Sequence, residues 1–277
     1  MKQIYYWSPC LNKVGTYKST INSMISLSKY SNNTCSIKLI NTCGEWDHEI
    51  EILKKYNIEI IDFGFKYFKF LPKNGFFKSR ISYIIIVILS LFPLLKLIIT
   101  KKPDFLVIHL LTSLPLLLHQ LFNFKTKLIL RISGYPKMNF LRKLIWRLVS
   151  KKLYYILCPS NDLKNQLIEN KIFNYEKLIF IPDPIIEVNK FSIKRNKINS
   201  EVDKEINNKF FISAGRLTKQ KNFTYLIYEF QKFSLQNNEF NLLIFGDGEE
   251  KIRLDNLIKK FNLQKRIFLM GHSEKLS

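Results

Sequence analysis

The sequence predicts an α/β protein made of two doubly wound domains, the second incomplete. Three observations carry that prediction. Apolar runs of strand length alternate with longer stretches of helical period, which is the rhythm of parallel βα units and not of a sandwich or a helical bundle. The rhythm breaks at Pro182-Asp183-Pro184, where prolines remove backbone donors and disfavour helix in the residue before them. It then resumes for only three strands. A chain of 277 residues has room for two domains, and 47% apolar with 24% charged residues suits a packed globule. That balance argues against wholesale disorder and against a multi-span membrane protein.

The expected elements run in order along the chain. Strands are read at Gln3–Trp7, Ser36–Asn41, Glu59–Phe63, Phe105–His109, Lys127–Ile132, Tyr154–Cys158 and Lys177–Ile181. Helices fit between them at Thr16–Tyr30, Asp47–Tyr56, Ser79–Thr100, Ser113–Phe122, Asn139–Ser150 and Asn161–Asn170. Beyond the break come strand Phe210–Ala214, helix Asn222–Phe233, strand Asn241–Phe245, helix Glu249–Phe261 and strand Arg266–Met270. The expected domains are residues 1–182, a linker over 183–208, and a partial domain over 209–277.

Lys and Arg total 44 against 22 Asp and Glu, a formal charge of +22, which predicts attraction to nucleic acid, anionic lipid or a phosphorylated substrate. Alanine occurs once, at Ala214, while Lys, Ile and Asn abound, so an AT-rich coding bias supplies part of the excess and placement has to decide. Cys10, Cys35, Cys43 and Cys158 show no CxxC pair, and the four histidines form no HxxxH, so no metal site is expected. Reduced thiols and an N-terminus without a secretory apolar core, Met1–Leu11, are read as cytoplasmic.

Two segments carry candidate chemistry. In Phe211–Asn222 a strand ends at small residues, a cationic loop follows, and a helix opens at Asn222, a good N-cap. Arg216 and Lys221 would flank an anion there. Arg suits bidentate phosphate contact and Lys a movable point charge, so the pair fits a diphosphate; solvated surface charge is the competing reading. Leu242–Glu249 runs from a strand into Gly246-Asp247-Gly248 and a helix, where glycines let backbone come close to a ligand; a plain βα turn is the alternative.

Taken together, Gly215-Arg-Leu-x-x-x-Lys221-Asn, Leu-x-Ile-x-Gly246-x-Gly248 and Ile267-Phe-Leu-Met-Gly271 resemble the donor-binding half of glycosyltransferase family 4, whose members have the GT-B fold. Pro103–His109, Cys158–Ser160 and Ile179–Pro184 resemble upstream segments of the same family. The resemblance implies a GT-B type protein of two Rossmann-like doubly wound domains, with the ligand lying between an N-terminal acceptor domain and a partial C-terminal donor domain. It also implies a retaining transferase passing a sugar from a nucleotide diphosphate-sugar to an acceptor hydroxyl, in surface polysaccharide or glycolipid assembly.

By the same resemblance Arg216 and Lys221 are the catalytic pair, stabilising the leaving diphosphate without a metal or cofactor. Gly215, Gly246, Gly248 and Gly271 join them in donor binding. Gly15, His109 and Ser133 fall on the acceptor side, Ser133 where the family often has His; a simple βα connection at Gly15 and a structurally satisfied His109 are the alternatives. The family's two-glutamate segment is not found before Ser277, so truncation is expected, and a non-catalytic remnant that acts at most as a nucleotide-binding or membrane-associated module is the alternative reading.

Ile81–Ile99 is nearly all apolar and just long enough to cross a bilayer, yet Pro93, Lys96 and the βα rhythm on either side favour a packed helix. Basic and aromatic residues interleave at Phe65–Phe70, Lys73–Arg80 and Lys137–Lys152. That mixture suits an anionic membrane surface, with an ordinary solvated helix face as the alternative; the family resemblance implies a lipid-linked or polysaccharide acceptor and, with it, peripheral attachment at the inner face. No zinc finger, RNP signature or KH loop is found, and no specific nucleic acid partner is expected.

Overall fold

The computed structural model describes residues 1–11, 15–72, 76–109, 114–136, 139–184 and 209–271. The chain divides into two compact units, Met1–Glu187 and Val188–Ser277. Most of the expected linker, 185–208, lies outside the described residues, as do 12–14 of the first loop.

The first unit is a seven-stranded parallel sheet. Its strands are β1 (Lys2–Trp7), β2 (Cys35–Asn41), β3 (Glu59–Asp62), β4 (Phe105–His109), β5 (Lys127–Arg131), β6 (Leu153–Cys158) and β7 (Leu178–Phe180), in the order β3-β2-β1-β4-β5-β6-β7. The helices are α1 (Gly15–Tyr30), α2 (Ile50–Lys54), α3 (Phe76–Lys101), α4 (Leu114–Leu121), α5 (Phe140–Ser150) and α6 (Asn161–Glu169). Alternation along each strand feeds two cores. Tyr5, Trp7, Leu106, Ile108, Leu128 and Leu130 face α3–α6, while Ile4, Tyr6 and Val107 face α1 and α2. A parallel sheet covered on both faces needs this near-continuous apolar character.

Local chemistry explains several boundaries. Asp104 ties the start of β1, accepting from the Gln3 amide at 2.9 Å and the Lys2 ammonium at 2.9 Å, so the Pro-Asp step before β4 registers two strands. Asn139 and Ser160 cap α5 and α6, their side-chain oxygens accepting from the amides of Arg142 and Leu163. The helix expected over Asp47–Tyr56 is shorter and split into a 3-10 turn, Asp47–Glu49, and α2. Asn41 holds Asp47 at 2.8 Å and the Trp46 amide at 3.2 Å, pinning the entry. At the exit Asn57 takes φ 54° while the Ile58 amide returns to the Leu53 carbonyl, which ends the helix.

The second unit has β8 (Lys209–Ala214), β9 (Phe240–Phe245) and β10 (Ile267–Gly271) in parallel, ordered β10-β9-β8. Helices α7 (Phe223–Ser234) and α8 (Lys251–Lys260) pack on it. Leu217, Phe223, Ile227, Leu242, Ile244, Leu254, Ile258 and Ile267 make its core.

Candidate functional site

In the first unit the sheet order reverses between β1 and β4, so the loops at the carboxyl ends of these strands diverge and leave the crevice where open α/β sheets take ligands. Gly15 opens α1 beside it, and His109 closes β4. His109 is fully buried. Its Nε2 lies 3.4 Å from the Thr20 hydroxyl, and Thr20 Oγ1 donates to the Thr16 carbonyl at 2.8 Å. The Thr16 hydroxyl in turn donates to Ser133 Oγ at 3.5 Å, the long limit of such a bond. Gly15, His109 and Ser133 are therefore gathered by the first turn of α1, although 94 residues of chain separate the first two.

Burial, reinforced by the Arg131 guanidinium in the neighbouring strand, pushes the His109 pKa down to about 3. The ring stays neutral at physiological pH, and its Nδ1 is buried with no partner among the described residues. A neutral imidazole so placed offers one polar nitrogen and no charge.

Arg131 and Asp183 complete this end of the sheet, and sequence reasoning missed both. Arg131, at the last position of β5 and 5% exposed, donates from Nε to Asp183 Oδ1 at 2.9 Å, and its Nη2 also reaches that oxygen. Asp183, expected at the start of the linker, is thus held on the first unit. The pair is separated by 52 positions, so nothing local announces it, though Asp183 sits between two prolines that stiffen its approach. Two further buried carboxylates were also missed. Glu45 accepts from the amides of Thr42 and Cys43, and burial raises its pKa. Glu49 accepts from the Tyr17 hydroxyl at 2.7 Å. All four cysteines are free thiols, and among the described residues no group of His, Cys, Asp and Glu is placed to hold a metal.

In the second unit the carboxyl ends of the three strands are stitched through their glycines. The Gly215 amide donates to the Phe245 carbonyl at 2.9 Å, Gly246 to the Gly271 carbonyl at 2.7 Å, and Leu217 to the Asp247 carbonyl at 2.9 Å. A Cβ at Gly246, where φ is +141°, would stand 1.8 Å from the Gly215 carbonyl oxygen; at Gly248 it would stand 2.4 Å from that of Leu217. These glycines let two βα loops touch backbone to backbone, and glycine alone fits such an approach.

On this platform sit the candidate cations. Arg216 and Lys221 are exposed, and neither has an ion-pair partner among the described residues. The Lys221 stem runs beside Gly215, its Cδ 3.7 Å from where a Cβ would be. Asn222 does not act as the expected side-chain N-cap. It takes the left-handed conformation, φ 52° and ψ 42°, between a 3-10 turn, Lys219–Lys221, and α7, with no side-chain capping bond. Asparagine tolerates that conformation better than most residues, which accounts for its place here. A neighbouring pocket of about 170 Å³, lined in part by Thr218, Asn222, Glu250 and Arg253, is too small to enclose a nucleotide by itself.

Residues 194–277 match the model of the family described as glycosyl transferases group 1. An uncharacterized glycosyltransferase of Methanocaldococcus jannaschii is 28% identical over 198 residues, covering 65% of this chain and 48% of that protein. A 4-alpha-N-acetylgalactosaminyltransferase of Campylobacter jejuni, whose name gives a diphospho-undecaprenol-linked sugar as its acceptor, is 30% identical over 162 residues, 56% of this chain and 42% of that protein. The chain thus matches about half the length of these curated relatives or less. Among solved structures, a glycosyltransferase from Rickettsia africae superposes with a TM-score of 0.65 at 16% identity, over 99% of this chain and 69% of that one. HepE from Anabaena, solved with UDP and glucose, superposes with a TM-score of 0.64 at 13% identity, over 100% of this chain and 70% of that one. These likenesses show the fold, the GT-B type that the resemblance implied.

Proposed function

We propose, from the premise that residues 194–277 belong to the group 1 glycosyl transferases, that this chain transfers a sugar from a nucleotide diphosphate-sugar to an acceptor hydroxyl with retention of configuration at the sugar. The observation that carries the reading is the pair of unpaired cations, Arg216 and Lys221, on a rigid glycine platform at the carboxyl ends of β8–β10. As the bond to the sugar breaks, negative charge grows on the departing diphosphate. Arg216 and Lys221, with no ion-pair partner among the described residues, stabilise that charge, so the step needs no metal or cofactor. Gly246 and Gly248 let the two loops close backbone to backbone, and with Gly215 and Gly271 they form the bed on which the donor lies. On the acceptor side, Gly15 leaves the α1 entry open, while neutral His109 and Ser133 orient a hydroxyl through the Thr16–Thr20 network.

The acceptor in this reading is a lipid-linked saccharide or a growing polysaccharide, met at the inner face of the cytoplasmic membrane by a peripherally attached protein; the diphospho-undecaprenol-linked sugar in the Campylobacter relative's name supports that choice. The test is nucleoside diphosphate release from a panel of UDP- and GDP-sugars with an undecaprenyl diphosphate-linked saccharide present. Acceptor-dependent release with retained anomeric configuration is expected. Release from no donor, or product of inverted configuration, contradicts the proposal.

A further inference from the structure

We infer that the outer face of α3, continued by α4 and α5, docks on the surface of an anionic bilayer, with α3 lying along the interface and not across it. The inference deepens the membrane-surface part of the proposed function and rests on it. Among the described residues α3 is the one helix long and apolar enough to cross a membrane. Its two faces differ. Ser82, Ile86, Ser90, Leu94, Leu97 and Ile98 are buried. The Ser82 hydroxyl donates to the Pro72 carbonyl at 2.6 Å, Ser90 bonds Thr42 at 3.0 Å, and Leu94 and Ile98 sit in the core of the seven-stranded unit. A helix anchored along one side in this way would have to leave the core in order to span.

The other side is apolar and uncovered. Ile81, Ile84, Ile88, Phe92 and Ile99 recur at helical spacing, each about half exposed or more, with Phe92 at 76%. Nothing in folding requires a soluble face to place isoleucines and a phenylalanine there. The neighbouring helices repeat the pattern. Leu117 and Leu121 of α4 and Leu141, Leu144 and Leu148 of α5 are exposed, with α3 packed on α4 and α4 on α5.

Charge selects the occupant. Residues 64–160 hold 17 Lys and Arg and a single acidic residue, Asp104, so the strongest charge excess of the chain surrounds these three helices. Exposed Lys78, Lys96, Lys101, Lys151 and Lys152 lie on or next to α3 and α5. An apolar stripe with a cationic border matches acyl chains beneath anionic headgroups. Nucleic acid would use the cations and leave the isoleucines in water.

Sedimentation of the full chain with phosphatidylcholine vesicles, and with vesicles carrying phosphatidylglycerol as well, tests this without nucleotide. The protein is expected to pellet with the anionic vesicles and to be released by alkaline carbonate. The double variant Ile84→Glu, Ile88→Glu should lose about tenfold or more in vesicle affinity at an unchanged melting temperature, because both side chains face solvent. Equal binding of the double variant, protein left in the supernatant, or resistance to carbonate overturns the inference. So does either of two alternatives in the absence of vesicle binding: a dimer dissolved by the same variant, which would assign the face to a second copy, or duplex DNA binding that survives it. Vesicle binding and nucleoside diphosphate release are read separately, so failure of one leaves the other standing.

Discussion

The carboxyl ends of the two sheets solve opposite problems. In the seven-stranded unit the polar groups are taken inside. His109 is buried against Thr20, Ser8 bonds Thr20 at 3.3 Å, and Arg131 is matched by Asp183. In the three-stranded unit the loops close on each other by bare backbone, and Arg216 and Lys221 are exposed, with no ion-pair partner among the described residues. One end holds its polar groups in a buried network that leaves the His109 Nδ1 without a partner among the described residues; the other carries its cations on a close-packed backbone mount. A neutral face suits a hydroxyl acceptor and an exposed cationic one suits a diphosphate, and the proposed function rests on that difference in burial.

Variants break this comparison most strongly where backbone meets backbone. Gly246→Ala puts a methyl group 1.8 Å from the Gly215 carbonyl at a φ that L residues avoid, and no side chain is there to yield. It should cost the second unit about 3 kcal/mol or more, read as a lowered denaturant midpoint. Next is Arg131→Ala, which leaves Asp183 without its partner in a mostly buried position. A loss of about 3 kcal/mol is expected from chemical unfolding, with Asp183→Asn milder because the amide still accepts.

The smallest effect sharpens the claim that the first unit's site is neutral. His109 titrates near 3 in the folded protein and near 6.5 when unfolded, so between those values the unfolded chain binds the extra proton. Stability is therefore intact above 6.5 and lost as pH falls toward 3. Between pH 6.5 and 5.5 the loss is about 1 kcal/mol, and urea titrations of His109→Asn should lack that share of the slope.

Much of this was legible in the chain because local chemistry bounded it. The β4 run is fenced by Pro103-Asp104, and α5 begins where Asn139 caps it, so sequence and structure agree there. The glycines of the second unit were legible as a close-approach loop, but what approaches first is the protein's own backbone, a fact set by the contact between two loops. Asn222 was misread because its identity suits both a cap and a left-handed step, and only the preceding 3-10 turn decides between them. Arg131 with Asp183, and the Thr16–Thr20 bridge joining Gly15, His109 and Ser133, depend on strand order, which no spacing along the chain encodes.

Calorimetric titration of UDP and GDP into the full chain and into Arg216→Ala and Lys221→Ala tests the diphosphate mount most directly. Binding of at least one nucleotide, weakened about tenfold or more in each variant at an unchanged melting temperature, is the expected result. Equal affinity in all three proteins would contradict it.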